Sequence, residues 1–160
     1  MRYQAGEVGL AVKRLQNRHH RALNRALAPL GLSLVQWDTL RHLNQQPDAS
    51  LHELAVLTFQ TDQSFGSLAT RMADRGLIER LPGPGRAVRH RLTARGARLR
   101  AEGQALVDTV LQASFQNLSA AELNQLGELL DKALGHDPIQ ALPDIRPSAR
   151  GEHQRAPSGA

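Results

Sequence analysis

Apolar residues recur along most of this chain at helical spacing and in one short stretch at strand spacing. From Val8 onward, Val8, Val12, Leu15, Leu23, Leu27 and Leu30 mark one face of a long first helix, with Lys13, Arg14, Arg18, Arg21 and Arg25 elsewhere on it. Pro29 and Gly31 end that helix. Ser33 with Gln36 three residues later forms a capping-box pattern that starts a second helix carrying Trp37, Leu40 and Leu43, closed by Pro47 and Asp48. Ser50 and Glu53 repeat the box before LHELAVL, and Thr61 stands as the N-cap of DQSFGSLATRMADRG, so two helices are joined by a tight turn. In the second of these, Phe65, Leu68, Ala69 and Met72 share a face. That leaves Asp62, Gln63, Ser64, Gly66, Ser67, Thr70 and Arg71 mostly on the opposite side.

The period changes at Ile78 to Leu92, IERLPGPGRAVRHRL, where two strand-like runs flank a Pro-Gly-Pro-Gly turn. Val88, His90 and Leu92 fall on one face of the second run, and Ala87, Arg89 and Arg91 on the other, which predicts a β-hairpin with one packed and one charged face. Thr93 then caps a long helix in which Leu99, Gly103, Leu106, Val110 and Ala113 form a seam seeking another helix. Ser119 and Glu122 make one more capping box before AAELNQLGELLDKAL, where Leu123, Leu126, Leu130 and Leu134 line one side and Gly135 ends the helix. Beyond Leu142 the chain is rich in Pro, Gly, Ala and charge and reads as a disordered tail.

Charge gives these elements a direction. The segment from Arg80 to Arg100 holds Arg80, Arg86, Arg89, Arg91, Arg95, Arg98 and Arg100 with no acidic residue among them. The whole chain of 160 residues carries a net charge of +5, so a polyanion is the natural partner. Aromatic residues are only 3% of the chain, which leaves few platforms for stacking on single-stranded bases and favours a duplex. A small polar helix face with Gln and Arg suits close approach to base edges in a major groove, although the residues alone leave a solvated surface open.

Other chemistry is poorly served. There is no cysteine, hence no disulfide and no thiolate metal site. The histidines are scattered without a ligand spacing, and no phosphate loop, nucleophile elbow or paired carboxylates stand out, so no catalytic residue, metal or cofactor is expected. No apolar window has membrane-spanning length and the amino terminus lacks a signal-peptide core, so a cytoplasmic protein with no membrane partner is expected. His19 falls in step between Leu15 and Leu23 and reads as a structural histidine. His90 and Trp37 read as packed residues of the hairpin and the second helix.

The order of helix, helix, helix-turn-helix, basic hairpin, long helix and helix is mainly α: a winged helix-turn-helix flanked by N- and C-terminal dimerisation helices. In RALAPLGLSLVQWDTLRHL, in ELAVLTFQTDQSFGSLATRMADRGLIER and in RAVRHRLTARG the chain resembles the MarR family of bacterial transcription regulators, over about residues 8–135. The resemblance implies an N-terminal dimerisation helix over 1–32, a DNA-binding lobe over 33–100, C-terminal dimerisation helices over 101–136 and a tail over 137–160. It implies a homodimeric repressor on a pseudo-palindromic duplex, released by a small aromatic ligand. The helix from about Thr61 to Arg75 would lie in the major groove, with Asp62, Gln63, Ser64, Gly66, Ser67, Thr70 and Arg71 reading bases. Arg80, Arg86, Arg89, Arg91 and Arg95 would hold phosphates, Arg86 being the wing arginine, and His20, Trp37 and His42 would help line a ligand pocket.

Two departures from the family pattern stand out. The wing reads PGPGR without the aspartate the family commonly places near its arginine, and Phe59 and Gln60 occupy the turn where the family often has a glycine. Two rival functions use the same elements: a winged-helix module binding an acidic protein through its basic hairpin, and a small-molecule binding protein that reads no DNA.

Overall fold

In a computed structural model, residues 3–82 and 88–135 are described, and they form six α-helices and one two-stranded antiparallel sheet. The helices are α1 (Ala5–Leu27), α2 (Leu34–Gln45), α3 (Leu51–Leu57), α4 (Asp62–Asp74), α5 (Ala94–Phe115) and α6 (Ala120–Leu134); the strands are β1 (Ile78–Leu81) and β2 (Arg89–Leu92). The expected tail and the turn residue Arg86 lie outside the described residues.

Local capping chemistry accounts for most helix starts. The Ser33, Ser50 and Ser119 hydroxyls accept from Gln36, Glu53 and Glu122 N–H groups, while those side chains reach back to the cap residues' own N–H groups. Thr61 and Thr93 cap α4 and α5 by accepting from Ser64 and Gly96. A box at Gln4 and Glu7, which the periodicity did not flag, starts α1 three residues before its first apolar position. Past Leu27 the chain tightens into a 3-10 turn, Ala28–Leu30, and reverses at Gly31 with a φ of 68°.

The core gathers Leu27, Leu40, Leu54, Phe65, Met72, Leu77 and Ile78, all essentially inaccessible to solvent. Two glycines let α5 come close enough to close it. A Cβ on Gly103 would lie 2.4 Å from Trp37 Cδ1, and one on Gly96 would collide with the Leu77 carbonyl oxygen. Trp37 fills the space beside Gly103, 4% exposed, and its indole N–H donates to the Arg100 carbonyl at 3.1 Å. The buried positions of α5 are Gly96, Gly103 and Val107, so the seam passes through Val107 where the repeat had selected Leu106. The helix runs unbroken through residues 100 and 101, the expected boundary between lobes, and packs against both α1 and α2.

Among the described residues, the amino-terminal half of α1 and the whole of α6 remain largely uncovered. Val8, Leu10 and Val12 of α1 are each 48% exposed, and α6 buries none of its residues, leaving Leu123, Leu129, Leu130 and Leu134 in solvent. Of the α1 face expected from the sequence, this chain buries only Leu23 and Leu27.

In the hairpin, Ile78 pairs with Leu92, Glu79 with Arg91, Arg80 with His90 and Leu81 with Arg89. His90 is buried against the lobe, and its Nδ1 has no hydrogen-bond partner among the described residues. Burial, with the neighbouring Arg80 charge as a smaller cause, holds its imidazole below the ordinary 6.5. The same two causes, with Arg18 as the charge, lower His19, whose Nε2 lies 2.6 Å from Ser114 Oγ and whose ring meets Phe115 edge-on at 5.3 Å.

Gly103→Ala should lower stability by roughly 1–3 kcal/mol because Trp37 must move. Gly66→Ala in α4, where nothing lies within 4 Å of the added carbon, should raise it by about 0.5–1 kcal/mol. Denaturant midpoints of the two variants shifting in the same direction would contradict this packing. A second test follows from His90. Because its folded pKa is depressed, the unfolded chain takes up the proton first, so stability is full above about pH 6.5 and falls as the pH drops below it. Thermal midpoints between pH 7.5 and 5 should fall less steeply in His90→Leu than in the parent, and equal acid slopes would refute the buried neutral histidine.

Candidate nucleic-acid interface

The helix-turn-helix presents α4 with its apolar side inward. Phe65, Leu68, Ala69 and Met72, spaced three and four apart, are buried, while Gln63, Ser64, Ser67, Thr70 and Arg71 are exposed and Gly66 is half-buried beside open space. The result is a ridge of short side chains between two longer ones, Gln63 near the amino end and Arg71 near the carboxyl end. Thr70 donates its hydroxyl to the Gly66 carbonyl at 3.0 Å, which turns its methyl and remaining acceptor capacity outward. Asp62 is held differently: its carboxylate lies 2.8 Å from His52 Nδ1 on α3, so the first residue of α4 is tied back to the preceding helix.

The turn before α4 keeps the backbone a glycine would adopt. Phe59 has a φ of 57°, Gln60 N–H reaches the Ala55 carbonyl at 2.8 Å, and the Phe59 ring is 73% exposed. The absence of glycine therefore leaves the turn left-handed, with about 1–2 kcal/mol of strain carried by a bulky residue in that region.

The wing arginines do not act as one free cluster. Arg80 lies cross-strand from His90, on the face opposite Arg89 and Arg91. Arg91 is ion-paired with Glu79 across the hairpin, and Arg89 lies 3.7 Å from Asp48 in the loop between α2 and α3. A single antiparallel bridge between Ser50 and Arg89 ties the start of β2, at the turn end of the hairpin, to that same loop. Arg95, in the first turn of α5, spends one N–H on the Arg75 carbonyl at 2.9 Å. The uniformly basic run read from the sequence is therefore partly neutralised by acids that lie outside it. Strand register could have identified Glu79, but Asp48 carries no local signal. Arg80 and Arg71 form no ion pair among the described residues.

Of the three residues expected to line a ligand pocket, Trp37 and His42 are buried on α2 and His20 is exposed on α1. Trp37 is part of the core, as its apolar character indicated. His42 is buried on α2, with Nε2 3.5 Å from Asp38 Oδ2 and 2.9 Å from an Arg41 guanidinium nitrogen. Burial works to raise the Asp38 carboxyl, but hydrogen bonds from His42 and Arg41 outweigh it and hold the group below its usual range. His20 points outward on α1 beside Asn24. A shallow cleft of about 340 Å3 lies instead along α1, lined by Ala11, Arg14, Leu15 and Arg18. No cluster of three or more metal-ligating side chains forms among the described residues, and none of their helices is long and apolar enough to cross a membrane.

Comparison with known proteins agrees with this architecture. A model of the MarR family matches residues 30–87, from the end of α1 to the wing. The HTH-type transcriptional repressor Rv2887 of Mycobacterium tuberculosis is 33% identical over 114 residues, spanning 70% of this chain and 81% of the relative. The HTH-type transcriptional repressor IacR of Pseudomonas putida is 25% identical over 120 residues, spanning 74% and 72%. Among solved structures, an Escherichia coli MarR mutant complexed with operator DNA superposes with a TM-score of 0.73 at 27% identity, covering 80% of this chain and 94% of that one. Rv2887 complexed with salicylic acid superposes at 0.67 with 28% identity, covering 82% and 97%. With a helix-turn-helix, a hairpin wing and flanking helices in the same order, this chain belongs to the MarR family of transcriptional regulators.

Proposed function

We propose that the chain is a homodimeric repressor that reads a pseudo-palindromic DNA duplex, with one α4 in each of two successive major grooves. The observation that carries this reading is the exposed face of α4: short polar side chains and a glycine, flanked by Gln63 and Arg71, on a helix whose other face is locked into the core. Gln suits bidentate contact with adenine and Arg with guanine, while Ser64, Ser67 and Gly66 permit the helix axis to approach the base edges. Arg80 and Arg86 are the leading phosphate contacts, with Arg95 sharing that role. Arg89 and Arg91 contribute net charge only to the extent that Asp48 and Glu79 release them.

Dimerisation accounts for the exposed apolar residues of α1 and α6. Val8, Leu10 and Val12 on α1 and the leucines of α6 form apolar surfaces that a second copy would bury, at about 25 cal/mol for each Å2 removed from water. The Rv2887 complex with salicylic acid supports a small aromatic acid as the effector class, acting by shifting the population of DNA-competent spacings. The protein acts by binding, without catalysis, in the cytoplasm.

The test begins with selection of a duplex from genomic fragments by the purified protein. On that duplex Gln63→Ala and Arg71→Ala should each cost roughly 1–3 kcal/mol and relax base preference at one position, with little change on a scrambled copy. Arg80→Ala should weaken both duplexes and reduce the salt slope by about 1, whereas Glu79→Gln, which frees Arg91, should tighten both and steepen it. Equal losses for the α4 variants on selected and scrambled duplexes would remove base reading from this face.

A further inference from the structure

The guanidinium of Arg75 is engaged inside the protein on both of its terminal nitrogens. Arg75 is the C-cap of α4, and it reaches away from the exposed ridge to the junction between α1 and α2. One terminal nitrogen donates to the Gly31 carbonyl at 2.7 Å, and the other to Gln36 Oε1 at 3.3 Å. The same Gln36 oxygen accepts the Ser33 N–H at 3.0 Å, so Arg75 is joined to the capping box that starts α2. On the far side of that junction, Asn24 of α1 accepts the Leu34 N–H at 2.9 Å, and Arg95 of α5 holds the Arg75 carbonyl at 2.9 Å. Gly31 turns the chain here with a φ of 68°, and a Cβ there would lie 3.1 Å from the guanidinium, which would have to yield slightly to admit it.

We propose that Arg75 is a positioning residue that sets the angle of α4 to the dimerisation helices and thereby selects the spacing between DNA half-sites. The inference rests on the reading of the chain as a paired half-site binder. The physical argument is leverage. α4 has 13 residues, so its reading end lies about 20 Å from the latch at its carboxyl end. Because α4 is packed into the core it moves with its lobe, and a swing of that lobe by roughly 10° about the latch moves the reading end by about 3 Å, close to the rise of one base pair, about 3.4 Å. In a symmetric dimer each protomer carries the same latch, so both reading ends are displaced. Within each half-site, base identity would still be read by Gln63 to Arg71, which the latch does not touch. Spacing and sequence preference are thus carried by different residues of one helix.

The experiment measures the affinity of full-length parent, Arg75→Ala and Arg75→Lys for four duplexes: the selected site, the same site with one base pair added or removed between half-sites, and a site with one base changed inside each half. The parent should lose about 10-fold or more on either spacer change. Arg75→Ala should compress that loss to about 3-fold or less while keeping the parental penalty for the base change and the parental salt slope. Arg75→Lys, which keeps one donor for the Gly31 carbonyl, should fall between, and it carries the test if Arg75→Ala does not fold, as judged by its thermal midpoint. A spacing penalty unchanged in the folded variant, or a salt slope reduced by about 1 as for a lost phosphate contact, would overturn the proposal. A parent indifferent to spacing would instead refute the paired half-site reading on which it rests.

Discussion

The close approach of α5 to the rest of the lobe is the constraint on which the other features depend. This helix starts at the foot of the wing, passes Leu77 at Gly96 and Trp37 at Gly103, and continues out to pack along α1. At both glycines the space a side chain would need is already filled by a backbone carbonyl or an indole ring. Trp37 converts that contact into a fixed register, because its ring packs on Gly103 while its N–H is bound to the Arg100 carbonyl. A rigid helix shared between the winged lobe and the flanking helices lets a change at one be felt at the other. It also places α4 and the hairpin on one scaffold.

Around that scaffold, electrostatics is arranged with more restraint than the charge of the chain suggests. Asp48 and Glu79 face Arg89 and Arg91, His52 draws Asp62 back from the ridge of α4, and Arg75 and Arg95 are spent on carbonyls within the protein. The two arginine–carboxylate pairs lower the wing's indiscriminate attraction for a polyanion, while the carbonyl contacts fix where the charges of Arg75 and Arg95 sit. Specificity benefits, since binding that depends less on net charge leaves more of the affinity to base contacts. Phe59 shows a similar exchange in the backbone: a strained left-handed residue preserves the turn that aims α4.

Much of this was legible in the sequence because it is written locally. Three serine capping boxes, two threonine caps and the three-four spacing of Phe65, Leu68, Ala69 and Met72 need only neighbours a few residues away, and they gave the helix starts and the buried side of α4. Strand alternation placed His90 on the packed face of the wing. Contacts between distant segments were not legible. Nothing near Arg89 points to Asp48 and nothing near Arg75 points to Gly31, while the resemblance that grouped His20, Trp37 and His42 carried no sign that two of them are buried on α2 and the third is exposed on α1. The seam of α5 was displaced from Leu106 to Val107 for a related reason: a helix packed on both α1 and α2 presents a broader face than a single heptad line describes.

The central claim, that two copies of α4 sit in the major groove one turn apart, is tested most directly by a methylation-protection footprint at guanine N7, an atom that only the major groove displays. On the selected duplex the account predicts two clusters of protected guanines in inverted half-sites, centred about 10 base pairs apart, with the intervening minor-groove-facing stretch unprotected at N7. A bound duplex with no protected N7, or with protection in a single cluster, would contradict it.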